Sequence, residues 1–467
     1  MSRVEESRAL VASALLVATS ALLLVGCATP PEPALPNIIL ISIDTVRADR
    51  LGSYGFTADT SPALDRLASL GVRFDSAISQ SSWTLPAHMS LFTSQLVSTH
   101  GVVDDQKALA DSAATLAEML SEQGYQTTGF VSWVYLSPKF GFGQGFDKYT
   151  FVPGNARVVV DAVEEWHSTS PGEPYFLFVH FFDPHMDFSP PAPYDSLFTD
   201  EYSGPIDGSY VQIKPQIRGL HEEVDPIDPA DRQHLDALYQ GEIRFVDDEI
   251  GRLLEAMDGG SPNAENLVIV VSDHGEELGD HGSLEGHGWT LYEEILRVPM
   301  IWQFPDLVHQ GTVVRDPVGL IDVAPTILDF LGVEPPKQFE GRSLLPLLQP
   351  GAGTATSPLV IADSGGRFGI FKRAIRGPRF KLIETRDTGL SEIGLPIDGG
   401  YELYDLQSDP GEQHDLYHPD HPEAQRLLRA LELAERRQID GQMVPTTTAQ
   451  ELSEDEREML ESLGYIQ

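Results

Sequence analysis

A doubly wound α/β fold, with a mostly parallel sheet flanked by helices and a smaller α+β subdomain toward the C-terminus, is what the sequence predicts, and three observations carry it. Apolar runs rich in Val, Ile and Phe recur at Asn37–Ile43, Thr127–Val131, Tyr175–Phe182 and Leu267–Ser272. Each lacks the polar alternation of a half-exposed strand, so each reads as a strand buried on both faces. Helical patterns fall between and after them, at Ser61–Leu70, Ala113–Gln123, Ala156–His167 and Pro229–Ala256. This β-α alternation is the signature of a sheet with helices on both sides. The third observation is composition: 41% hydrophobic and 22% charged residues in 467 suit a folded chain with a sizeable core.

The first thirty residues obey another logic. Arg3 and Arg8 precede an uncharged apolar run from Ala9 to Val25, the pattern of an export signal. It ends in Leu24-Val25-Gly26-Cys27, which resembles the lipobox of bacterial lipoproteins and implies cleavage before Cys27 with diacylation of its sulfur. The alternative is an uncleaved anchor, because a run of about 17 residues is at the lower limit for spanning a bilayer. Cys27 is the only cysteine, so no intramolecular disulfide is expected. Ala28–Pro36 is proline-rich and reads as an extended tether. The absence of Asp after Cys27 resembles Gram-negative lipoproteins sorted to the outer membrane, which places the expected location in the cell envelope, facing the periplasm or the cell surface.

The domain plan that follows is a signal peptide over 1–26, a tether over 27–36, a core over 37–350, a C-terminal antiparallel-sheet subdomain over 351–445 and a helical tail over 446–467. In the subdomain, short runs at Leu359–Ala362, Gly369–Ile375, Phe380–Glu384 and Tyr401–Tyr404 precede a helix at Glu423–Arg437. In the tail, Leu452, Met459, Leu460 and Leu463 recur at helical spacing and read as packing residues. Acidic residues outnumber basic ones 71 to 31, a net charge of −40 that disfavours nucleic acid as a partner. The carboxylates are spread along the chain, which reads as a solvated surface rather than an acidic binding patch.

In doubly wound sheets, ligands gather at the carboxyl ends of the strands. Asp44 follows the first apolar run, Asp183 and His185 the third, and Asp273-His274 the fourth. Adjacent Asp and His at a strand end can aim at one cation, with Gly275 permitting the turn, and this donor set suits Zn²⁺ or Mn²⁺ better than Ca²⁺.

The segment Ser272-Asp273-His274-Gly275-Glu276-Glu277-Leu278-Gly279-Asp280-His281-Gly282, with His287-Gly288-Trp289 and Arg297-Val298-Pro299 after it, resembles the sulfatase family of the alkaline-phosphatase superfamily. Pro36–Asp44, Leu51–Gly55, Asp183-Pro184-His185, Asp322–Ile327, Gly341–Leu344 and Tyr404–Glu412 extend the resemblance in family order. It implies a metal-dependent hydrolase of sulfate or phosphate esters, small or surface-borne. The departures are as informative as the matches. Sulfatases oxidise the Cys or Ser that opens a C/S-x-P-x-R motif to formylglycine, whereas this chain has Thr84-Leu85-Pro86-Ala87-His88, and the opening acidic pair is reduced to Asp44-Thr45.

This pattern resembles the threonine branch of the superfamily, in which a Thr, an Asp-His pair and an acidic residue from the first strand hold the metal and form a phospho-enzyme. Carried over, the resemblance places Asp44, Thr84, Asp273 and His274 on one divalent cation, with Thr84 as nucleophile. His185 is expected to contact substrate, His287 to act as general acid or to complete a second metal site with His185, and His88 to replace the missing arginine. His281 is expected either to orient its loop or to touch substrate, and Lys381 resembles a family position with a structural role. A threonine sulfate would require direct attack of water at sulfur, so mechanism favours phosphate esters while overall resemblance favours sulfate esters. An inactive lipid-tethered binding protein is the third reading, opposed by the retention of all four ligands.

Overall fold

The computed structural model describes residues 35–462, apart from 170, 200–201, 214–226, 258–265, 282–285, 306–309, 349–358, 393–395 and 441–445. The expected leader, Cys27, most of the expected tether and residues 463–467 of the tail lie outside the described residues. Pro36–Gln467 forms one compact unit.

The large sheet has eight strands: β1 (Ile38–Ile43), β2 (Val72–Phe74), β3 (Gln126–Val131), β4 (Lys148–Phe151), β5 (Tyr175–Phe181), β6 (Leu267–Ser272), β7 (Met300–Gln303) and β8 (Thr312–Val314). Their order across the sheet is β8-β2-β7-β6-β1-β5-β3-β4. β7 alone runs antiparallel to its neighbours. The four strands expected from apolar runs stand together at the centre, in the order β6-β1-β5-β3, where neither face meets water.

Six helices cover the two faces: α1 (Pro62–Leu70), α2 (Thr84–Thr93), α3 (Leu116–Glu122), α4 (Ala156–Ser168), α5 (Pro229–Ala256) and α6 (Val323–Phe330). The period-2 alternation of each strand divides the core. Ile38, Leu40, Phe176, Phe178, Leu267 and Ile269 pack with α2, α3 and α6, and Ile39, Ile41, Leu177, Val179, Val268 and Val270 with α1, α4 and α5. This is the doubly wound class that the sequence predicts.

Local chemistry sets several boundaries. α3 begins later than its apolar pattern, because the Thr115 hydroxyl accepts the Glu118 amide at 3.2 Å while Glu118 accepts the Thr115 amide at 3.0 Å, a capping box. α2 escapes periodicity altogether: all ten of its residues are buried, so it has no polar face to reveal it.

A second, four-stranded antiparallel sheet follows, β9 (Val360–Asp363), β10 (Lys372–Arg376), β11 (Phe380–Thr385) and β12 (Gly400–Asp405), in that order. α7 (Pro422–Asp440) covers one face through Ala424, Leu427 and Leu431 on Ile375, Leu382 and Leu403. The other face sets Ala362, Ala374, Ile383 and Tyr404 against Leu291, Ile295 and Leu296 of the large domain. The tail differs from the all-helical expectation: Thr446–Thr448 first pairs antiparallel with Lys107–Leu109, and only then does the helix Glu454–Ser462 form, burying Leu460 in the main core.

Phe178 is fully buried at the centre of β5 and meets Phe92 of α2 edge-to-face at 4.8 Å. Phe178→Ala is expected to cost about 3–5 kcal/mol, seen as a lower denaturant midpoint with an unchanged m-value.

Candidate active site

The carboxyl ends of β1, β5 and β6 and the N-terminus of α2 deliver the polar residues to one place. Asp44 follows β1, His180 is the penultimate residue of β5, Asp273 and His274 follow β6, and Thr84 is the first residue of α2. All five are fully buried.

Their fixed atoms reveal which atoms remain to do chemistry. Asp273 Oδ1 accepts the amides of His274 (2.8 Å) and Thr45 (3.2 Å), which leaves Oδ2 directed inward with no hydrogen bond. His274 Nδ1 lies 2.9 Å from the Gly275 carbonyl; a carbonyl only accepts, so Nδ1 carries the proton and Nε2 presents a lone pair. That Nε2 lies 3.3 Å from Asp273 Oδ2, 3.5 Å from Asp44 Oδ1 and 3.4 Å from Thr84 Oγ1. Thr84 Oγ1 is 3.5 Å from Asp44 Oδ2, and Asp44 Oδ1 is a second buried oxygen without a hydrogen bond.

Lone pairs facing one another at these distances repel unless a proton or a cation lies among them. Ligands about 2.1 Å from a tetrahedral ion stand roughly 3.4 Å apart, so the set fits a divalent cation. Asp44, Asp273 and His274 form the one group of three such residues among the described residues whose donor atoms converge closely enough to hold a metal.

Two backbone features hold this geometry. A Cβ on Gly275 would lie 1.9 Å from the Glu294 carbonyl oxygen, so only glycine lets the Asp-His turn pack against the segment Glu293–Leu296. Thr45 adopts φ +55°, a strained left-handed conformation for a β-branched residue. It is held there by the Tyr239 hydroxyl donating to its carbonyl at 2.6 Å and by its own amide on Asp273.

Around this set stands a histidine-rich wall. His88 has both nitrogens engaged beneath Thr84: Nδ1 donates to the Thr84 carbonyl at 2.9 Å and Nε2 accepts from Ser42 at 2.8 Å. Its ring therefore supports the first turn of α2, and as placed it offers no nitrogen to an anion in the manner of the missing arginine. His287 Nδ1 is 3.1 Å from both oxygens of buried Glu276, and its ring centroid lies 4.7 Å from that of His274 and 4.8 Å from that of His185. His185 donates from Nδ1 to the Met186 carbonyl and stacks on Phe182 at 4.3 Å. Asp183 is turned away, accepting the Ala156 amide at the start of α4.

His281 lies outside the cluster, 3.0 Å from Glu294 and stacked on Tyr292. Lys381 pairs with Glu412 at 3.0 Å and Glu293 at 3.4 Å, joining the small sheet to the large domain.

Two residues near the cluster were not anticipated. His180 Nε2 faces Asp44 Oδ2 at 3.3 Å. It was concealed inside the apolar run of β5, where a lone polar residue on the Phe176–Phe178 face was the available signal. Arg367, in the loop between β9 and β10, lies with its guanidinium 5.0 Å from the Trp83 ring, and nothing in the sequence links it to Thr84.

Burial dominates the electrostatics. It pushes Asp273 up to about 8 and Glu276 up to about 7, and raises Asp44 with the help of the Asp273 and Glu276 charges. It lowers His287 and His185 to about 3 and His88 to about 4. Carboxyls raised in the folded state contribute stability that is lost as pH climbs through their folded values. The buried histidines act oppositely, but only below their unfolded value of about 6.5. Between pH 6.5 and 8 the carboxyls dominate, His281 adds the same sign because its burial is outweighed by Glu294, which raises it, and chelator-treated protein is expected to lose thermal stability across that window. Glu412 (about 8) and Asp247 (about 7), away from the site, add the same sign. A saturating divalent cation should therefore raise the melting temperature and reduce the slope without abolishing it, as calorimetry at several pH values would show.

Comparison with known proteins agrees with this architecture. Residues 36–333 match the profile of the Sulfatase family. The chain is 24% identical over 490 aligned positions to the N-acetylglucosamine-6-O-sulfatase of Bacteroides thetaiotaomicron, with 87% of each chain covered. Among solved structures, the phosphonate monoester hydrolase of Agrobacterium radiobacter superposes with a TM-score of 0.68 at 22% identity, covering 90% of this chain and 98% of its own. A protein solved with its substrate D-glucosamine-2-N,6-O-disulfate superposes with a TM-score of 0.70 at 20% identity, covering 88% of this chain and 99% of its own. With the family profile spanning most of the chain and the strand-end cluster lying within it, the protein belongs to the sulfatase family of the alkaline-phosphatase superfamily and is a hydrolase of ester bonds.

Proposed function

We propose that the protein transfers a tetrahedral oxyanion from an ester oxygen to Thr84 and then to water, at a divalent-cation site formed by Asp44, Thr84, Asp273 and His274. One observation carries this reading: the Thr84 hydroxyl lies 3.4 and 3.5 Å from His274 Nε2 and Asp44 Oδ2, inside a donor set in which Asp44 Oδ1 and Asp273 Oδ2 have no hydrogen bond. The cation, Zn²⁺ or Mn²⁺ in preference to Ca²⁺ on donor type, would lower the pKa of the Thr84 hydroxyl and offset charge on the transferred group.

The chain's own residues supply the rest. His88 and Ser42 hold the carbonyl of Thr84 from below, which fixes the direction of Oγ1. The positive end of α2 lies at Thr84, where negative charge gathers in the transition state. As Thr84 Oγ1 gives its proton to Asp44 Oδ2, 3.5 Å away, and forms its bond to phosphorus or sulfur, the bond to the alcohol oxygen breaks and that oxygen takes a proton from His287 Nε2. His287 is neutral, so Glu276, pushed by burial to about 7 and 3.1 Å from His287 Nδ1, passes its own proton to Nδ1 as Nε2 gives one up. In the second half a water attacks the same centre and gives its proton to His287 Nε2, His287 Nδ1 returns one to Glu276, and the bond to Thr84 breaks as Oγ1 recovers its proton from Asp44. His185, beside His287, is positioned to contact the oxyanion.

Phosphate esters suit this scheme because phosphothreonine yields to attack at phosphorus, and the fold is shared with phosphonate monoester hydrolases. A sulfate ester is the second reading, favoured by the family profile and by the names of the most similar relatives. The Leu24–Cys27 pattern further supports attachment to the cell envelope through a lipid on Cys27, with a soluble or surface-borne ester as substrate.

Turnover of aryl phosphate, bis-aryl phosphate and aryl sulfate, measured with Zn²⁺, Mn²⁺ or Ca²⁺, tests the mechanism. Thr84→Ala is expected to lower kcat by about 10³-fold or more, and Asp273→Ala to lose bound metal by elemental analysis. Turnover that survives Thr84→Ala would overturn the nucleophile, and Thr84-dependent cleavage of sulfate alone would reverse the preference for phosphorus. For the anchor, Cys27→Ser is expected to move the protein from the membrane fraction to the soluble one; an unmoved distribution argues for an uncleaved apolar anchor.

A further inference from the structure

We propose that Arg367 is a specificity-determining residue that takes a second anionic group, carried by the alcohol portion of the ester. The inference rests on the ester-transfer reading of Thr84 given above.

Arg367 reaches the site from the small sheet. It opens the short turn Arg367–Gly369 between β9 and β10, in a loop where Gly365, Gly366, Phe368 and Gly369 all take positive φ. A run of left-handed residues, one of them a phenylalanine, is an unusual way to pass between neighbouring strands. Here it drives the loop inward, and two contacts hold it: the Trp83 indole nitrogen donates to the Ser364 carbonyl at 3.2 Å, and the Ser364 hydroxyl donates to the Ile370 carbonyl at 2.9 Å.

The guanidinium is thereby fixed in two directions. Its carbon lies 5.0 Å from the ring centroid of Trp83, the residue before Thr84, and 4.8 Å from that of Phe368. On its other side, a Cβ on Gly288 would lie 2.8 Å from Nη1, so the guanidinium abuts the backbone directly after His287. The absence of a side chain at Gly288, whose φ is +105°, makes this approach possible. The group is thus half-buried, flanked by the residue before the nucleophile and the residue after the proposed acid.

That position suits the leaving group better than the transferred one. The donor set around Thr84 is fully buried, whereas Arg367 keeps part of its surface in solvent. The charge of Arg367 is felt at the site, where it helps depress His287 and His185 after burial and neighbouring groups. On a chain of net charge −40, a cation at this point supplies local attraction for a doubly anionic ester that the overall field repels. Arginine's planar fork matches carboxylate, sulfate or phosphate oxygens in pairs.

The test pairs two coumarin esters of the group that the enzyme transfers, the 4-methylumbelliferyl ester and its 4-carboxymethyl analogue, which differ by one remote carboxylate. Wild type is expected to favour the carboxymethyl ester in kcat/KM, and Arg367→Ala to reduce that ratio about 10-fold or more, chiefly through KM. Arg367→Lys should restore part of it. Equal losses on both esters would put Arg367 on the transferred group and overturn the proposal, as would an unmoved ratio. Direct binding of the two coumarin alcohols, followed by their fluorescence, reads the same preference without turnover. A wild-type preference for the carboxymethyl alcohol that Arg367→Ala removes supports the proposal, and equal affinities in both proteins overturn it. Turnover that survives Thr84→Ala, with that binding difference intact, would instead sink the nucleophile assignment alone.

Discussion

The molecule is organised around an electrostatic problem: two carboxylates, an imidazole lone pair and a hydroxyl are brought together out of reach of water. Asp44, Asp273, His274 and Thr84 are each fully buried, and the folded chain can tolerate their proximity only through positive charge, whether proton or cation. Much of the surrounding structure exists to hold these groups against their mutual repulsion. Ser272 accepts the Val46 amide and donates to the His274 carbonyl, tying the turn after β1 to the turn after β6. Tyr239 reaches from α5 to hold the strained Thr45. The sheet supplies the rigidity, since β1 lies between β5 and β6 with all its residues buried. Preorganisation of this kind is costly to a fold and useful to an enzyme, because no reorganisation is needed when charge moves.

How much of this was legible in the sequence depended on whether a residue announced itself locally. Asp44 and the Asp273-His274 pair stood out because a carboxylate at the end of an apolar strand has few structural reasons to be there. The four central strands were visible because burial on both faces removes polar residues from them. Thr84 carried no such mark. Its helix is buried all round and shows no periodicity, so only the resemblance of Thr84–His88 to a family motif picked it out. His180 was lost inside a strand that was correctly identified, since a histidine in an apolar run looks like a core residue until the topology brings it to Asp44. Arg367 lies 283 positions from Thr84 by its residue number and meets the site only through the packing of one sheet on another domain face. No local pattern encodes such a meeting. His88 shows the converse: its place in the motif suggested an anion contact, while its hydrogen bonds commit both nitrogens to positioning Thr84.

The small sheet is therefore more than an appendage. One face packs on α7 and the other on the segment around Leu291–Leu296, which also contacts the Asp273–Gly275 turn. Buried Lys381, between Glu293 and Glu412, fastens that contact with charge, and Arg376 joins it on Glu293 at 3.4 Å. The segment around Leu291–Leu296 thus touches the small sheet on one side and the turn that carries His274 on the other.

The pairing of Thr446–Thr448 with Lys107–Leu109 has a consequence for biogenesis. The Thr447 hydroxyl reaches the Leu109 carbonyl across 338 residues of chain, and Leu460 fills the same core as α2 and α3. Residues 446–460 must therefore be made before the edge at Lys107–Leu109 can be covered and that pocket filled. A chain released early would retain most of its secondary structure and still present an unpaired strand and an open apolar cleft, the features by which quality-control proteases and chaperones distinguish unfinished proteins from finished ones. The strand at Thr446–Thr448 thus closes an edge that more than 330 residues of intervening chain leave open.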